Sequence, residues 1–592
     1  MVITLKDGTW LVTSLDMQHN HELSPHGEAK YLRSHKHMTN VEKLFIRTFN
    51  SVKLPTRKIM AILSYLRGGI HATPYTKKIL SNMRTSIRKE TKANDMMMVL
   101  QYFRKRQDHD PRFYYAFKVD SSKKVENIFW SDGNSRRFYE LYGDCISFDT
   151  TYKTNRYNLP FAPFVGITGH AHNCLFACAI LHDETIETFT WLFDTFLHCM
   201  GGKKPVTIIA DQDVAMKQAI PIVFTGTKHR NCLFHIKKKA EEKCARCFAT
   251  KPTLHEDFSD IVNKCFTETE FETLWPEMIV RHKLEDIKYF KQMWDMRKNF
   301  VPVYFKKDFF PFIHSTARSE DTNAVFKDNV GLTYSVISFL SEYQRISEDI
   351  MEKEREQDSL TRTTRPTMWV GSAIELQAAK KYNRSIFYKF QAQLKLTPKL
   401  HVLEVEKNLK YDVYKSKILA DKDFRQRKFV VMVDWLNEDI SCICQKFLKD
   451  GIVFCHVLKV LDFLNISELP DKYYIDRWMP KETKYTRDIE HNMPFIEVAS
   501  DGSVCNERYM YLLGEIKRIR QQLNTMPGKE HTQQQAEGAG SARTGDGEVV
   551  SENTTVVQPD MILADPDVAK SKGRPKTARR HKTIMEIVLT KQ

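Results

Sequence analysis

Three acidic residues stand in distinctive local sequences, far apart along the 592-residue chain. Asp149 lies in SFDTTYKTNRY, Asp211 in IIADQDVAMKQAI and Glu320 in STARSEDTN. Carboxylates that a fold gathers together can hold two metal ions, which stabilise the attacking and leaving oxygens of a phosphodiester. Magnesium or manganese suits such an oxygen-rich site, and the metal charge offsets the repulsion between the acids and an anionic substrate. The trio therefore predicts a metal-dependent nuclease site, either active or vestigial.

Each acid also has a purely structural interpretation. Asp149 could end a strand, and Asp211 precedes VAMKQA, where it is well placed as a helix cap. Asp213 and Asp144 are the nearest rivals of Asp211 for the metal-binding role. We favour Asp211 because it directly follows TIIA, which reads as a short buried strand.

The elements that must position these acids follow from the periodicity of the sequence. CISFDTTY, APFVGITG and NCLFACAIL are rich in β-branched and aromatic residues and are separated by turn signals, which predicts three strands. ETFTWLFDTFLHCM has helical spacing, PVTIIAD predicts a strand, and VAMKQAIPIVF opens as a helix. We expect Asp149 to lie inside the first strand and Asp211 to end the strand after the long helix. Amphipathic helices are expected before this region, up to about residue 106, and further helices from about 237 to 310.

Several segments resemble one known family and occur in the same order as in that family. They are YYAFKVD, SFDTTYKTNRYNLPFAPFVGI, DQDVAMKQAI, HRNCLFHIKKK, RSEDTNAVFK and LPDKYYIDRW. Together they resemble the transposase domain of Mutator-like elements, as found in the plant far-red impaired response family of transposase-derived regulators. The resemblance covers nearly the whole chain. It implies an α/β ribonuclease H-like transposase core with a helical insertion, and it matches Asp149, Asp211 and Glu320 to the catalytic acids.

The resemblance also implies how the chain is divided. We expect a remnant of an amino-terminal DNA-binding zinc finger (1–40), a helical linker region (41–110), the Mutator-like transposase core (111–345), a second helical linker (346–400), a small SWIM-type zinc module (401–480), and a C-terminal helix with a disordered basic tail (481–592). The tail has no aromatic residue after Tyr511, and Gln, Gly, Glu, Ser and Thr dominate residues 524–553. Such a composition cannot form a packed core.

The amino-terminal finger of the family uses two cysteines and a His-x-His pair. His19 and His21 match that pair, but no cysteine precedes Cys145. Zinc needs about four ligands, at least three of them from protein, so the finger cannot close as written. Two solvated loop histidines are the favoured interpretation. Two explanations stay open: an upstream segment completes the finger, or this member has lost the domain.

The SWIM pattern of the family is Cys-x-Cys followed by Cys-x-His. This chain has Cys442 and Cys444, but Phe454 stands where the third cysteine is expected, and Cys455 is directly beside His456. Adjacent residues tend to point apart, which conflicts with four-ligand closure. Two interpretations stay open: zinc is retained through a local shift, or these residues are core thiols in a module that still folds.

Cys232 and His235 match a Cys-x-x-His pair of Mutator-like transposases, and Cys244 and Cys247 follow. If HIKKKAEEKCARC is one helix, His235 and Cys244 lie about 13 Å apart along its axis, too far to share one zinc ion. We expect Cys232 and His235 to act in packing or in positioning the active site, and we expect no role for Cys244 and Cys247.

A formal charge of +16 and a pI near 9.1 predict a polyanionic partner. The tail KSKGRPKTARRHK holds Lys572, Arg574 and Lys576, an AT-hook-like arrangement suited to a narrow minor groove. The same residues suit a nuclear import signal, and both roles are compatible.

Charge and hydropathy argue against a secretory signal peptide and against a membrane span. Lys6 and Asp7 interrupt any signal peptide, and no window offers the ~20 apolar residues of a membrane span. Scattered cysteines indicate reduced thiols or metal ligands. We expect a protein of the nucleus with no membrane partner.

The predicted function is that of a transposase-derived nuclear regulator that binds double-stranded DNA and controls transcription, of the light-response type by resemblance. It would form homo- or hetero-oligomers with family members. The resemblance favours a regulator over an enzyme even though the acid trio is retained. Two alternatives stay open: an active Mutator-like transposase, and a scaffold that acts through protein contacts alone.

Overall fold

The computed structural model describes residues 2–15, 18, 31, 38–51, 54–313, 317–421, 423–481, 484–485, 511, 515, 518 and 563–568, without the side chains of 51, 88, 90–93 and 317–320. His19, His21, Lys572, Arg574, Lys576 and the side chain of Glu320 therefore lie outside the described residues, as does most of the tail expected to be disordered. The chain divides into two compact units, residues 1–99 with 335–341, and residues 100–334 with 342–592.

The first unit contains a hairpin and a group of helices. Its elements are β1 (Val2–Lys6), β2 (Thr9–Ser14), α1 (Asn40–Ser51), α2 (Thr56–Leu66), α3 (Lys77–Ala93) and the start of α4 (Asp95–His109), which continues into the second unit. The strands β1 and β2 pair antiparallel. Helices α1, α2 and α3 contact one another around a core that contains Ile46, Ile59, Leu63, Tyr75 and Leu80. The expected amphipathic helices are present.

A seven-stranded sheet forms the centre of the second unit. Its elements and those that cross it are β3 (Tyr114–Val119), β4 (Val125–Ser131), α5 (Gly133–Tyr142), β5 (Cys145–Phe148), β6 (Phe161–Ile167), β7 (Asn173–Ile180), α6 (Ile186–Cys199), β8 (Thr207–Ala210), α7 (Val214–Val223) and β9 (Lys228–Asn231). The strand order is β3-β4-β7-β6-β5-β8-β9. The β5–β8 and β8–β9 pairs are parallel, and the other neighbours are antiparallel.

The three strands, helix, strand and helix expected between residues 145 and 223 occur in that order. One detail of the prediction is wrong: Asp149 is the first residue after β5 and does not lie inside it. CISFDTTY stays rich in β-branched and aromatic residues past Phe148, but the pairing does not continue, and Thr151 makes only an isolated bridge to Phe161.

Both faces of this sheet are covered, because successive side chains of a strand point to opposite faces. Ile146 and Phe148 enter a core that is rich in aromatic rings and includes residues of α5, α6 and α7. Within it the rings of Phe164 and Phe196 stack with centroids 4.2 Å apart. Cys145 enters the second core, on the other face. Every residue of β5 is buried, as suits a central strand.

An insertion of helices follows β9. It consists of α8 (Leu233–Lys243), α9 (Ala245–Thr250), α10 (Leu254–Lys264), α11 (Glu268–Arg281) and α12 (Lys288–Asp295), and it has its own apolar core. The expected helices are therefore present, but HIKKKAEEKCARC is not one helix, because α8 ends at Lys243 and α9 starts after Cys244. Cys244 and Cys247 pack in this core.

The remaining described elements are α13 (Ala317–Asn329), α14 (Val336–Thr363), α15 (Ala373–Lys381), α16 (Arg384–Leu394), β10 (Leu400–Glu406), β11 (Lys410–Lys415), α17 (Lys417–Ala420), β12 (Lys428–Asp434), β13 (Asp439–Cys442), α18 (Lys446–Asp450) and α19 (Cys455–Phe463). Strands β10 to β13 form an antiparallel sheet in chain order. Phe387 of α16 shares an apolar core with Val431 of this sheet and Leu458 of α19. None of the helices in the described ranges is long and apolar enough to cross a membrane.

Two buried cations tie the segment after α19 to other elements, Arg477 to the start of β5 and Lys484 to helix α14. Arg477 Nη1 donates to both carboxylate oxygens of Asp144, at 2.6 and 2.7 Å, and Nη2 donates to the Ile167 carbonyl at 2.7 Å. The Lys484 ammonium contacts Glu354 and lies 3.2 Å from both oxygens of Asp358. These contacts join chain segments that are distant in sequence.

Candidate functional site

Asp149 and Asp211 start from neighbouring positions at one edge of the central sheet. Strands β5 and β8 are parallel, and Ser147 lies opposite Ile209. Each acid is two residues further along its own strand direction, directly after the strand ends. Because paired strands run about 4.8 Å apart, the register alone places these two acids side by side.

A cleft of about 480 Å³ opens at this edge of the sheet. Residues from five different chain segments line the cleft, and four of these residues are acidic. The lining residues are Asp149, Thr150, Tyr152, Glu184, Asp211, Asp213, Met216, Phe234, His235, Lys238, Asn323, Ala324 and Lys327. Three of these belong to α13, the helix whose backbone also carries Glu320. Helical residues three or four positions apart share a face, so the backbone position of Glu320 lies one turn before the lining residue Asn323.

The Asp149 carboxylate is held by the amide of Asn323. Asn323 Nδ2 donates to Asp149 Oδ2 at 3.1 Å, and both residues are buried. Within the described part of the chain, the buried Asn323 Oδ1 has no hydrogen-bond partner. A buried acceptor costs free energy when it is left unsatisfied, and amide and carboxylate oxygens are ligands of Mg²⁺ and related hard cations. The donor set at this cleft therefore fits a divalent metal.

The Asp211 carboxylate has cationic neighbours. His235 Nδ1 lies 3.4 Å and Lys239 Nζ 3.5 Å from Asp211 Oδ1. Burial alone would lower the pKa of His235. A hydrogen bond with Cys232 and the charges of Asp211 and Asp149 raise it by more than burial lowers it, to about 9. Cys232 is buried directly before α8, and its backbone N–H donates to the Ala210 carbonyl at 2.8 Å. The structure thus brings Cys232 and His235 to the two acids.

The rivals of Asp211 have other contacts. Asp213 lines the cleft, and it is Asp213, not Asp211, that caps α7: its Oδ1 accepts from Ala215 N at 2.8 Å and Met216 N at 2.9 Å. Asp144 precedes β5, at the opposite end of the strand from Asp149, and is paired with Arg477. It does not line the cleft.

Glu184 is a residue of this site that the sequence reasoning missed. It lies between β7 and α6, and its carboxylate accepts hydrogen bonds from Thr150 Oγ1 and Tyr152 OH. These contacts fix the chain that follows Asp149. The available signal was an acid in LHDET directly after the third strand of a sheet whose strand ends meet at one edge.

A second candidate site lies in the module of strands β10 to β13. One ligand atom from each of Cys442, Cys444 and His456 lies within 4.8 Å of the other two. Cys442 Sγ and His456 Nδ1 are 3.8 Å apart, close to the spacing that two ligands of one tetrahedral zinc ion adopt. The imidazole of His456 stacks on Phe429 with centroids 3.7 Å apart. These three residues fit a thiolate and imidazole zinc site.

The two thiols and the imidazole of this group shift one another's pKa values. Hydrogen bonding between the two thiols lowers the pKa of Cys444 and raises that of Cys442. Burial lowers the pKa of His456, and contacts with Cys444 and Cys455 raise it more strongly, to about 9. Cys455, the first residue of α19, is not part of the group that the described residues form. Consecutive helical side chains point about 100° apart, so Cys455 and His456 do not share one direction.

Comparisons with known proteins agree on one family. Residues 145–239 match the MULE transposase domain. Protein FAR1-RELATED SEQUENCE 5 of Arabidopsis thaliana is 32% identical over 80% of this chain and 59% of its own length. Protein FAR1-RELATED SEQUENCE 9 of the same plant is 30% identical, over 65% of this chain and 70% of its own length. Protein FAR-RED IMPAIRED RESPONSE 1, also from Arabidopsis thaliana, is 28% identical over 80% of this chain and 57% of its own length. The chain thus spans less than two thirds of the length of two of these relatives.

Proposed function

The chain belongs to the FAR1-related family, and from this premise we propose that it is a transposase-derived nuclear protein that binds double-stranded DNA and regulates transcription. The similarity to FAR1-related proteins over 80% of the chain carries this proposal. The MULE transposase domain within it supports descent from a DNA-processing enzyme. The charge of +16 supports an anionic partner.

In this proposal the central sheet is a ribonuclease H-like core. Its support is the strand order β7-β6-β5-β8-β9, in which the first pairs are antiparallel and the last two are parallel. Further support comes from Asp149 and Asp211, which follow the two adjacent parallel strands at its centre.

We assign a structural zinc ion to the module of β10 to β13, a SWIM-type module in this proposal. Cys442, Cys444 and His456 would hold it, and Phe429 would orient the imidazole. A bound zinc ion would supply a cross-link between β13 and α19. Such a link stabilises small modules whose apolar core is limited.

The basic tail supplies two parts of the proposed function. Lys572, Arg574 and Lys576 would act in nuclear import and would contact a narrow minor groove. A role in light responses, and assembly with itself or with family members, are proposed by analogy with the relative named for its far-red response.

The test measures DNA binding and reporter output together, on the full chain. A fluorescent random-sequence duplex should bind with an affinity that falls steeply as salt rises, since each phosphate contact steepens the slope by about 0.9. Asp149→Asn should leave both the affinity and the reporter output unchanged. A chain that binds no duplex at physiological salt would contradict the proposal and would favour a protein-interaction scaffold.

One observation favours a second candidate, an active Mutator-like transposase. The acids of two parallel strands and the helix that carries Glu320 border one cleft. Magnesium or manganese bound there would activate water, and then a freed DNA hydroxyl, for in-line attack on a phosphodiester. The chain itself would orient Asp149 through Asn323 and balance Asp211 with His235.

Nicking of duplex DNA distinguishes the two candidates. A transposase should nick DNA that contains element ends when Mn²⁺ or Mg²⁺ is supplied, and Asp149→Asn or Glu320→Gln should abolish nicking. Under the regulator proposal, the wild-type chain binds DNA without nicking it.

A further inference from the structure

The positive charge of the chain is concentrated in its first helical region. Residues 41–94 contain twelve lysine and arginine residues and two acidic residues, a net charge of +10 against +16 for the whole chain. This stretch is less than a tenth of the chain by length, so its net charge per residue is far above the chain average, and the short basic tail KSKGRPKTARRHK is more densely charged still.

Glu42, one of the two acids of this region, does not dilute that charge. Glu42 is buried and accepts from Arg67 Nε at 2.6 Å, Arg67 Nη2 at 2.8 Å and Tyr75 OH at 2.7 Å. Among the side chains described between residues 38 and 94, no acid is exposed. The exposed cations are Lys43, Arg47, Arg57, Lys58, Lys77, Lys78 and Lys89. The described part of this surface therefore carries cations and no exposed carboxylate.

Helix α3 presents a long polar face opposite its apolar one. Leu80 is buried in the unit, and Ile79, Met83 and Ile87 pack against the same core. Four exposed residues at helical spacing form the other side: Lys78, Asn82, Thr85 and Lys89. From first to last they span about 16 Å at 1.5 Å per residue. The same length of duplex axis carries about ten phosphate charges.

The starts of helices α2 and α3 lack the acidic residues and side-chain caps that usually stabilise a helix start. Helices α2 and α3 have no acid in the first turn and no side-chain cap. Arg57 and Lys58 stand in the first turn of α2, and Lys77 and Lys78 open α3. The positive end of the helix dipole favours acids at these positions. The cations and the positive helix ends repel each other, but both attract a nearby polyanion.

Side-chain hydrogen bonds fix helix α3 against its two neighbouring helices. The Arg84 guanidinium of α3 donates to Asn50 Oδ1 at 2.9 Å, at the end of α1, and to Thr56 Oγ1, at the start of α2. Arg84 thus fixes α3 against both neighbouring helices, which leaves the residues of the opposite face to solvent.

We propose that the exposed face of α3 is a DNA-binding surface that enters the major groove of a duplex. Lys78 and Lys89 of this face contact phosphates, as does Lys77 at the start of the helix, while Asn82 and Thr85 face the base edges. The major groove admits an α-helix, and asparagine and threonine are among the side chains that read base edges there. This inference rests on the proposed DNA-binding function and assigns to it a surface apart from the cleft and the basic tail.

Charge reversal with a matched control tests the inference. The variant Lys77→Glu/Lys78→Glu/Lys89→Glu is compared with Lys288→Glu/Lys291→Glu/Lys298→Glu, three exposed lysines of the insertion. Both lower the net charge equally, in the full chain, against a random-sequence fluorescent duplex. The α3 variant should lose at least about tenfold in affinity, and its salt slope should fall by about 2.7, or 0.9 for each of three phosphate contacts. The control should keep the wild-type slope.

The outcomes separate this inference from the function on which it rests. Equal losses in the two variants, or an unchanged α3 variant, would overturn the α3 surface while leaving DNA binding in place. A wild-type chain that binds no duplex would overturn both. Glutamate in the first turn of α3 suits the helix dipole, so circular dichroism should show an intact helix content. A second variant, Asn82→Ala, should keep the salt slope and reduce the preference for selected sequences over random ones.

Discussion

Asp149 and Asp211 occupy equivalent positions on adjacent parallel strands, because Ser147 pairs with Ile209 and each acid follows two residues later. Their surroundings differ. A neutral amide donates to Asp149, whereas an imidazole and an ammonium lie near Asp211. Asn323 thus orients the first carboxylate, and His235 and Lys239 place positive charge beside the second.

The amide that holds Asp149 gives the first prediction. Asn323→Leu removes both the donor to Asp149 and the unsatisfied Oδ1, so Mn²⁺ affinity at the cleft should fall by about 10- to 100-fold, the range for residues that orient metal ligands. Isothermal titration calorimetry on the full chain measures it.

Asn263→Leu, at an exposed position of α10, is the control and should bind Mn²⁺ as the wild type does. Equal Mn²⁺ affinity in Asn323→Leu would show that this amide does not organise a metal site.

Zinc content tests the second site. Cys442→Ser removes one of three clustered ligands, and structural zinc contributes roughly 10–16 kcal/mol in small modules. Bound zinc should therefore fall from about one ion per chain to well below one, with a lower unfolding temperature. Plasma mass spectrometry and a thermal melt measure both quantities. Cys247→Ser, a half-buried thiol of the insertion, should change neither. Zinc retained by Cys442→Ser would refute the assigned ligand set.

The buried ammonium of Lys484 should be important for stability. It is 2% exposed between Glu354 and Asp358, and loss of one partner from a buried ionic group costs about 3–5 kcal/mol because a charge is left uncompensated. Lys484→Met should lower the free energy of unfolding by that amount in urea titrations.

The control is Lys481→Met, which removes a pair with the largely exposed Asp476. Surface pairs contribute about 0–1 kcal/mol, so this variant should unfold close to the wild type. Similar losses in the two variants would argue against a buried ionic cluster.

Acid sensitivity of the first unit follows from Glu42. The hydrogen bonds from Arg67 lower the pKa of Glu42 from 4.5 to about 2, even though burial alone would raise it. A carboxyl with a depressed pKa in the folded state stabilises the fold above its unfolded pKa, and this stabilisation is lost as the pH falls toward the folded value. At neutral pH it amounts to about 3 kcal/mol.

Glu42→Gln should therefore be less stable than the wild type at about pH 6, and the difference should shrink steadily between about pH 4.5 and pH 2. Urea unfolding across this range, followed by circular dichroism, measures it. A difference that stays constant down to about pH 2.5 would mean that the Glu42 carboxylate is not the titrating group.

Local sequence patterns predicted strands β5 to β8, the long helix α6 and the helical insertion. They did not predict β9, whose sequence KHRN contains no apolar residue. The end of β5 was not predicted either, because CISFDTTY stays rich in β-branched and aromatic residues after the pairing stops. The sequence indicates Asp211 as a cap of α7, but the cap is Asp213, two residues later. Aspartate suits a cap at either position, and only the start of the helix at Val214 decides between them.

Contacts between distant segments could not be predicted from the sequence. Glu184 joins the site because the strand ends of a folded sheet meet, not because of any spacing to Asp149. The same holds for His170, whose Nε2 lies 2.7 Å from Asp358 Oδ1. No local periodicity relates residues so far apart, so these contacts became visible only in the folded chain.

The bond between Arg477 and Asp144 has a consequence for synthesis on the ribosome. Asp144 emerges first, and its partner is made 333 residues later. At roughly 5–20 residues per second, this delay is on the order of 20–70 s. Throughout that interval the nascent strand β5 is available to fold, but the carboxylate at its start has no guanidinium to neutralise it. The ion pair at the start of β5 therefore forms only after the segment that carries Arg477 has been made.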